Sequence, residues 1–79
     1  RAVAQSMARE LAPKGIHVSH FIIEGGIDNQ RMRKMRPEIT AEDGLVSTVA
    51  LAELYYQTHC QPRSCWNFEV DLRTWMDPF

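Results

Sequence analysis

A chain of 79 residues makes one domain or less, and at that size it buries only about 60% of the surface it exposes when unfolded. Its 44% hydrophobic and 24% charged residues are globular proportions, and a formal net charge of -1 gives nucleic acid or an anionic membrane no electrostatic hold. The longest apolar runs, such as Val49-Ala50-Leu51-Ala52, fall far short of the roughly 18 residues a spanning helix needs, and nothing at the start resembles a signal peptide.

The chain opens on Arg1, inside a helical pattern with no capping residue before it, as a cut would leave it. Val3, Met7 and Leu11 fall on one helix stripe beside Ala4, Ala8 and Ala12, so residues 1–12 are predicted to form an amphipathic helix that a neighbour can approach closely. Pro13 and Gly15 end it, because proline cannot continue the ladder and glycine accepts the left-handed turn after a helix.

Residues 16–23 read as a strand that finishes in the continuous run Phe21-Ile22-Ile23, the pattern of a parallel strand covered on both faces. Gly25 and Gly26 break it. Residues 28–39 have no clean period, carry "RMRKMR" and close at Pro37; a loop with one helical turn is expected. Thr40-Ala41-Glu42-Asp43 fits a capping box, in which hydroxyl and carboxylate satisfy the free amides of a helix start. The helix that follows carries Leu45, Val49, Ala52 and Tyr56 on its apolar stripe and ends at Gln61-Pro62. Trp66, Phe68, Val70 and Leu72 then alternate with Asn67, Glu69, Asp71 and Arg73, the period of a strand with one apolar face.

The order helix, strand, loop, helix, strand predicts an α/β fold whose core is a right-handed βαβ unit, with the first helix on the opposite sheet face. Two parallel strands do not make a stable sheet alone. The strand at 16–23 is too apolar for an exposed edge, so it should pair with a strand from the rest of a larger domain or from a second copy of the chain.

"QSMARELAPKGIHVSHFIIEGGID" and "QPRSCWNFEVDLRTW" together resemble the last third of the short-chain dehydrogenase/reductase family. The first is similar to the stretch from the helix after the active-site tyrosine and lysine, through the sixth strand, to the Pro-Gly turn at the nicotinamide. The second is similar to the last strand and tail of one bacterial subgroup, with Asp71 where many members carry the Asp of an Asp-Gly-Gly ending. The resemblance spans nearly the whole chain. It implies that residues 1–79 are a partial domain, the C-terminal βαβ portion of a Rossmann-like doubly wound parallel sheet. The activity it implies is hydride transfer between NAD or NADP and a carbonyl or alcohol, in the cytoplasm.

The same resemblance puts Gly25, Gly26, Ile27 and Asn29 at the cofactor. Gly25 matches the glycine of the turn, Ile27 the residue whose backbone meets the carboxamide, and Asn29 a threonine that reaches the phosphates. Glu24 stands at the family's proline. A backbone site suits glycine, since ligands come closest where there is no Cβ, and doubly wound sheets bind ligands beyond the carboxyl ends of their strands. The other reading of these glycines is a plain turn after a buried strand.

No catalytic residue is assigned. The family's tyrosine is followed four residues later by a lysine; here His59 and Cys60 follow Tyr55 and Tyr56, and Glu10 and Gln30 precede Lys14 and Lys34. Gly15, Gly25, Gly26 and Gly44 cannot supply the Gly-rich phosphate turn. The chain alone is therefore expected to be inactive and to bind no cofactor, and Tyr55 and Tyr56 read as packing residues of the helix.

His17 and His20 would point to opposite faces of a strand, so no metal site is expected. Cys60 and Cys65 lack the usual zinc spacing; a disulfide across the Pro62 turn is conceivable, and free thiols are the expectation for a reducing compartment. "RMRKMR" holds four of the nine basic residues without interleaved aromatics, which suits a solvated loop better than a nucleic-acid patch. In the resembled family this region is the substrate lid, with Met32 and Met35 placed to cover a substrate. The first helix and the "TWMDPF" ending match family subunit contacts, which implies a homo-oligomer. The alternative is a stand-alone truncated module, non-catalytic, that associates with itself or a partner.

Overall fold

The computed structural model describes residues 1–77; Pro78 and Phe79 of the "TWMDPF" ending lie outside them. Helix α1 runs Ala2–Leu11, and Ala12–Lys14 tighten into a 3-10 turn. Gly15 closes it at φ +81, where a side chain would be strained. Its N–H reaches Ala12 O at 2.9 Å and Ile16 N–H reaches Leu11 O at 3.2 Å, capping the last free carbonyls. The expected stop at Pro13 and Gly15 is therefore found.

Strand β1 is shorter than predicted, His20–Ile23. Residues 16–19 lead into it held by side chains rather than by a ladder. A carbonyl only accepts, so the 2.7 Å contact of His17 Nε2 with Asn67 O fixes the proton on Nε2. Ser19 Oγ donates to Asn67 Oδ1 at 3.0 Å, and the His17 ring stacks on Trp66 with centroids 4.6 Å apart.

Helix α2, Gln30–Met35, is the helical turn expected within the loop at 28–39, extended to six residues. Asn29 Oδ1 accepts from Met32 N at 2.7 Å, the bond of an N-cap asparagine. The capping box predicted at Thr40–Asp43 starts no helix. Val46 is paired in extended form with Ile27, accepting from Asp28 N at 2.8 Å and donating to Gly26 O at 2.8 Å; a residue so bonded cannot join a helical ladder. Gly44 N–H instead closes a turn on Ala41 O at 3.1 Å. Helix α3 begins at Thr48, about two turns after the predicted start, with Ser47 Oγ accepting from Ala50 N at 3.2 Å, and runs to His59.

Strand β2, Glu69–Leu72, pairs parallel to β1 in the register His20–Glu69 through Ile23–Leu72. The predicted α/β order and parallel pairing are found, as a two-stranded sheet among the described residues. Phe21 of β1 meets Tyr55 of α3 at 4.1 Å between ring centroids, which places α3 on one sheet face and confirms Tyr55 as a packing residue.

The core is slight. Leu45 is the most buried apolar residue, 4% exposed, and it lies before α3 rather than on its stripe. Val3 and Met7 of α1 and Val49 and Tyr56 of α3 face solvent, so neither predicted apolar stripe is covered. The radius of gyration is 15.3 Å, where a compact chain of this length would have about 12 Å. The accessible surface is 6112 Å², against roughly 4,900 Å² for a compact monomer of 9.1 kDa.

Candidate functional site

Both strands release their chains at the same end of the sheet. After β1 comes Glu24-Gly25-Gly26, and after β2 comes Thr74 to Asp77; with residues 38–44 they enclose a cleft of about 330 Å³. Glu24 donates its N–H to Leu72 O at 2.9 Å, adding one rung to the ladder before the turn.

The two glycines serve different ends. Gly25 has φ +90, and a Cβ built on it would meet nothing within 4 Å. Its main chain therefore lies bare to the cleft, and glycine is required by the backbone conformation. Gly26 has no such φ, but its Cβ would stand 2.9 Å from Leu45 Cδ2 and 3.1 Å from Met32 Cγ and Sδ. Glycine is required there by packing, with Met32 tucked against the turn.

Of the residues singled out in the sequence, the structure brings Gly25 and Gly26 into this cleft. Ile27 and Asn29 line no part of it. The flanking peptide groups of Ile27 are spent on Val46, and alternation along an extended chain turns its own N–H and C=O to the other side. Those two groups make no hydrogen bond among the described residues. Asn29 caps α2 and borders a separate open cleft with Asp28, Gln30, Arg33 and Lys34.

Sequence reasoning missed the far walls of the cleft: Glu38, Ile39, Thr40, Thr74, Met76 and Asp77. Thr40 had been given to a helix cap. Thr74, Met76 and Asp77 follow from the rule that residues just beyond the carboxyl ends of neighbouring parallel strands meet around the same space; Glu38 and Ile39, after α2, follow from no local signal.

Three carboxylates rim the cleft, and each has a cation. Glu38 pairs with Arg36, whose hydrogen bond holds its carboxyl below the usual value, helped by the backbone at Glu38 itself. Asp77 pairs with Arg73 Nη1 at 3.1 Å. Arg73 also takes both oxygens of Asp71, at 2.9 and 2.8 Å. The Asp71 bond chiefly, and the charges of Asp71, Asp77 and Glu24, raise its pKa above the ordinary guanidinium value. Glu24 thus lies in the field of a guanidinium held by Asp71 and Asp77 beyond β2.

A second cleft of about 320 Å³ lies behind Thr74, lined by Leu45, Val46, Ala50, Leu51 and Leu72 with Trp75 at its edge. The histidines sit at the opposite end of the sheet. His20 Nδ1 lies 3.5 Å from Glu69 Oε2, which also takes Arg1 Nε at 2.9 Å. Among the described residues no cluster of His, Cys, Asp or Glu could hold a metal ion. Cys60 and Cys65 are free, exposed thiols. Within "RMRKMR", Arg33 grips Asp28 at 2.9 and 3.1 Å, and Met35 is exposed. No helix among the described residues is long and apolar enough to cross a membrane.

No protein-family model matches the sequence, and no curated protein matches it. Over 95% of its length the chain is similar to the crystal structure of a short-chain dehydrogenase from Rhodopseudomonas palustris, with 43% identity and a TM-score of 0.62. It spans 26% of that protein's chain.

Proposed function

We propose that this chain is the C-terminal segment of an NAD(P)-dependent short-chain dehydrogenase/reductase, contributing the nicotinamide-side turn, the substrate lid and part of a subunit interface. The observation that carries this reading is 43% identity to a short-chain dehydrogenase over 95% of the chain. The parallel pair and the cleft at its carboxyl end agree with it.

The residues fit the nicotinamide end of such a cofactor and not its phosphates. A carboxamide needs one donor and one acceptor, and the N–H and C=O of Ile27, one residue beyond the cleft lining at Gly26, are unspent among the described residues. Gly25 lets a flat ring approach main chain with no Cβ in the way. Asn29, the residue matched to the phosphates, caps α2 outside this cleft, so the pyrophosphate would be held by the rest of the domain. The cofactor, when bound, supplies or accepts the hydride. This chain's part is to position the ring and exclude water from it, with Met32 and Met35 of α2 in the lid.

The chain's partner in this reading is the remainder of the domain, within a cytoplasmic homo-oligomer. The exposed Val3, Met7, Val49 and Tyr56 and the surface excess of roughly 1,200 Å² over a compact monomer support a partner of some kind. They equally favour the second reading, a stand-alone non-catalytic module that covers the same faces with another copy or another protein.

Fragment complementation separates the two. The chain is co-expressed with a polypeptide that supplies a Gly-rich strand–turn–helix and a Tyr-x-x-x-Lys helix, and NADH fluorescence is titrated. The enzyme reading expects binding by the pair, binding by neither part alone, and at least a tenfold loss in Gly25→Val. Association without any NADH binding would leave the module reading standing. A monomeric 79-residue chain that bound NADH tightly would overturn both.

A further inference from the structure

The cleft beyond the strands has two facing walls that are each stiff and barely joined. One wall is the segment Glu38–Gly44. Ile39 N–H closes on Arg36 O at 3.0 Å, Gly44 N–H on Ala41 O at 3.1 Å, and Arg33 Nη1 reaches Ile39 O at 3.3 Å. The other wall is Thr74–Asp77, where Asp77 N–H closes on Thr74 O at 3.1 Å and the Asp77 carboxylate is held by Arg73. Each wall can therefore move as a unit.

Among the described residues one hydrogen bond joins these walls, from Trp75 Nε1 to Asp43 Oδ2 at 2.9 Å. It links positions far apart in sequence, and it lies in solvent. Trp75 is 81% exposed, so the indole gains almost nothing from packing where it stands. Losing the bond costs about one net hydrogen bond, and the turns on either side would still form without it but open more often. The arrangement is that of a fastener between two rigid edges, not of a core contact.

We propose that Asp43 and Trp75 form a releasable latch that sets how far the Glu38–Gly44 and Thr74–Asp77 walls of the cleft stand apart. When the bond is made, the segment after β2 is tied to the segment after α2 across the second cleft, which Asp43 and Trp75 both line. When it opens, Thr74, which lines both clefts, swings with its segment, and the apolar cleft behind it changes together with the one in front. The latch stands on the wall geometry and holds whether or not the cleft receives a nucleotide.

Amide hydrogen exchange of the full chain, followed by NMR without any nucleotide, tests it in both directions. Trp75→Phe keeps a ring and removes the donor; it should speed exchange at Ile39 and Gly44 by about three- to tenfold, the factor expected for one net hydrogen bond. Asp43→Ala should do the same at Asp77, on the opposite wall. Asp43→Asn, which still offers an acceptor, should restore most of the protection. The ladder amides of His20 and Glu24 should stay within about twofold in every variant. Unchanged exchange at Gly44 and Asp77 would overturn the latch. So would equal loosening of the His20 and Glu24 amides, because the bond would then be serving the fold as a whole.

Discussion

Glu24 and Leu72 share the last rung of the parallel ladder: the Glu24 N–H donates to Leu72 O at 2.9 Å, one residue past the end of β1. A proline has no N–H to give. Glutamate at this position, where the resembled family carries proline, therefore extends the ladder by one bond and places a carboxylate near Arg73, whose pKa that charge helps to raise. What reads in the sequence as an odd carboxylate before two glycines is in the structure a tie between the two strand ends.

Replacing Glu24 separates the two effects. Glu24→Pro removes the rung and should destabilise the protein by about 1 kcal/mol, the net value of one hydrogen bond. Glu24→Gln keeps the N–H and should fall within about 0.5 kcal/mol of the parent. Urea unfolding of both variants checks this; equal losses in the two would place the importance of Glu24 in its charge and not in its main chain.

The adjacent glycines should respond to different second mutations. Gly26→Ala pushes a methyl into Leu45 and Met32, at about 1–3 kcal/mol of overpacking. Met32→Ala should relieve part of that, giving a coupling of at least about 0.5 kcal/mol in a double-mutant cycle. Gly25→Ala is strained by its φ of +90 in open space, again by about 1–3 kcal/mol, but truncating Met32 should not help it. Cycles measured by denaturant titration distinguish the two.

That distinction marks how far the sequence could be read. Alternation at Trp66–Arg73 and the apolar run before Glu24 correctly announced a parallel pair, because strand period and burial are written locally. Two adjacent glycines look alike until the backbone torsion of one and the neighbours of the other are known. The capping box at Thr40 is sound as a local signal, yet Val46 is claimed by a bridge to Ile27 from a distant part of the chain, and no local pattern records that. Helix α2 lacks an apolar period, so periodicity passed over it; Asn29 before Gln30 was the signal present for its start. The walls of the cleft were illegible for the same reason as the bridge: Glu38, Thr40 and Asp77 become neighbours only once β1 and β2 are paired.

Acid should loosen α2 through Asp28. Arg33 grips both carboxylate oxygens, and that hydrogen bond chiefly lowers the Asp28 pKa below 3.8 despite some desolvation. A carboxyl depressed in the folded state adds stability that is complete above its unfolded value and lost as pH falls through the lower folded value. No change from this pair is expected between neutrality and about pH 5, and loosening should begin only below about pH 4. The side chains are more than a third exposed, so salt should weaken the effect. A carboxyl-carbon NMR titration should show the Asp28 midpoint rising toward 3.8 in Arg33→Gln; an unmoved midpoint would assign the depression to something other than the pair.

Thr58 offers a way to stabilise the chain. It lies in the last turn of α3, 5% exposed, and its Oγ1 finds no partner among the described residues. Helical threonines commonly return their hydroxyl to a carbonyl one turn earlier, and this one does not. Burying an unpaired hydroxyl costs about 1–3 kcal/mol. Thr58→Val keeps the branched shape and removes the orphan, so it should raise stability by about 1 kcal/mol, or Tm by about 4–8 °C for a domain of this size. Thr58→Ser keeps the hydroxyl, loses the methyl contact and should lower stability. Thermal unfolding of the pair decides the matter, since a valine variant less stable than the parent would mean that the hydroxyl has found a partner in solution.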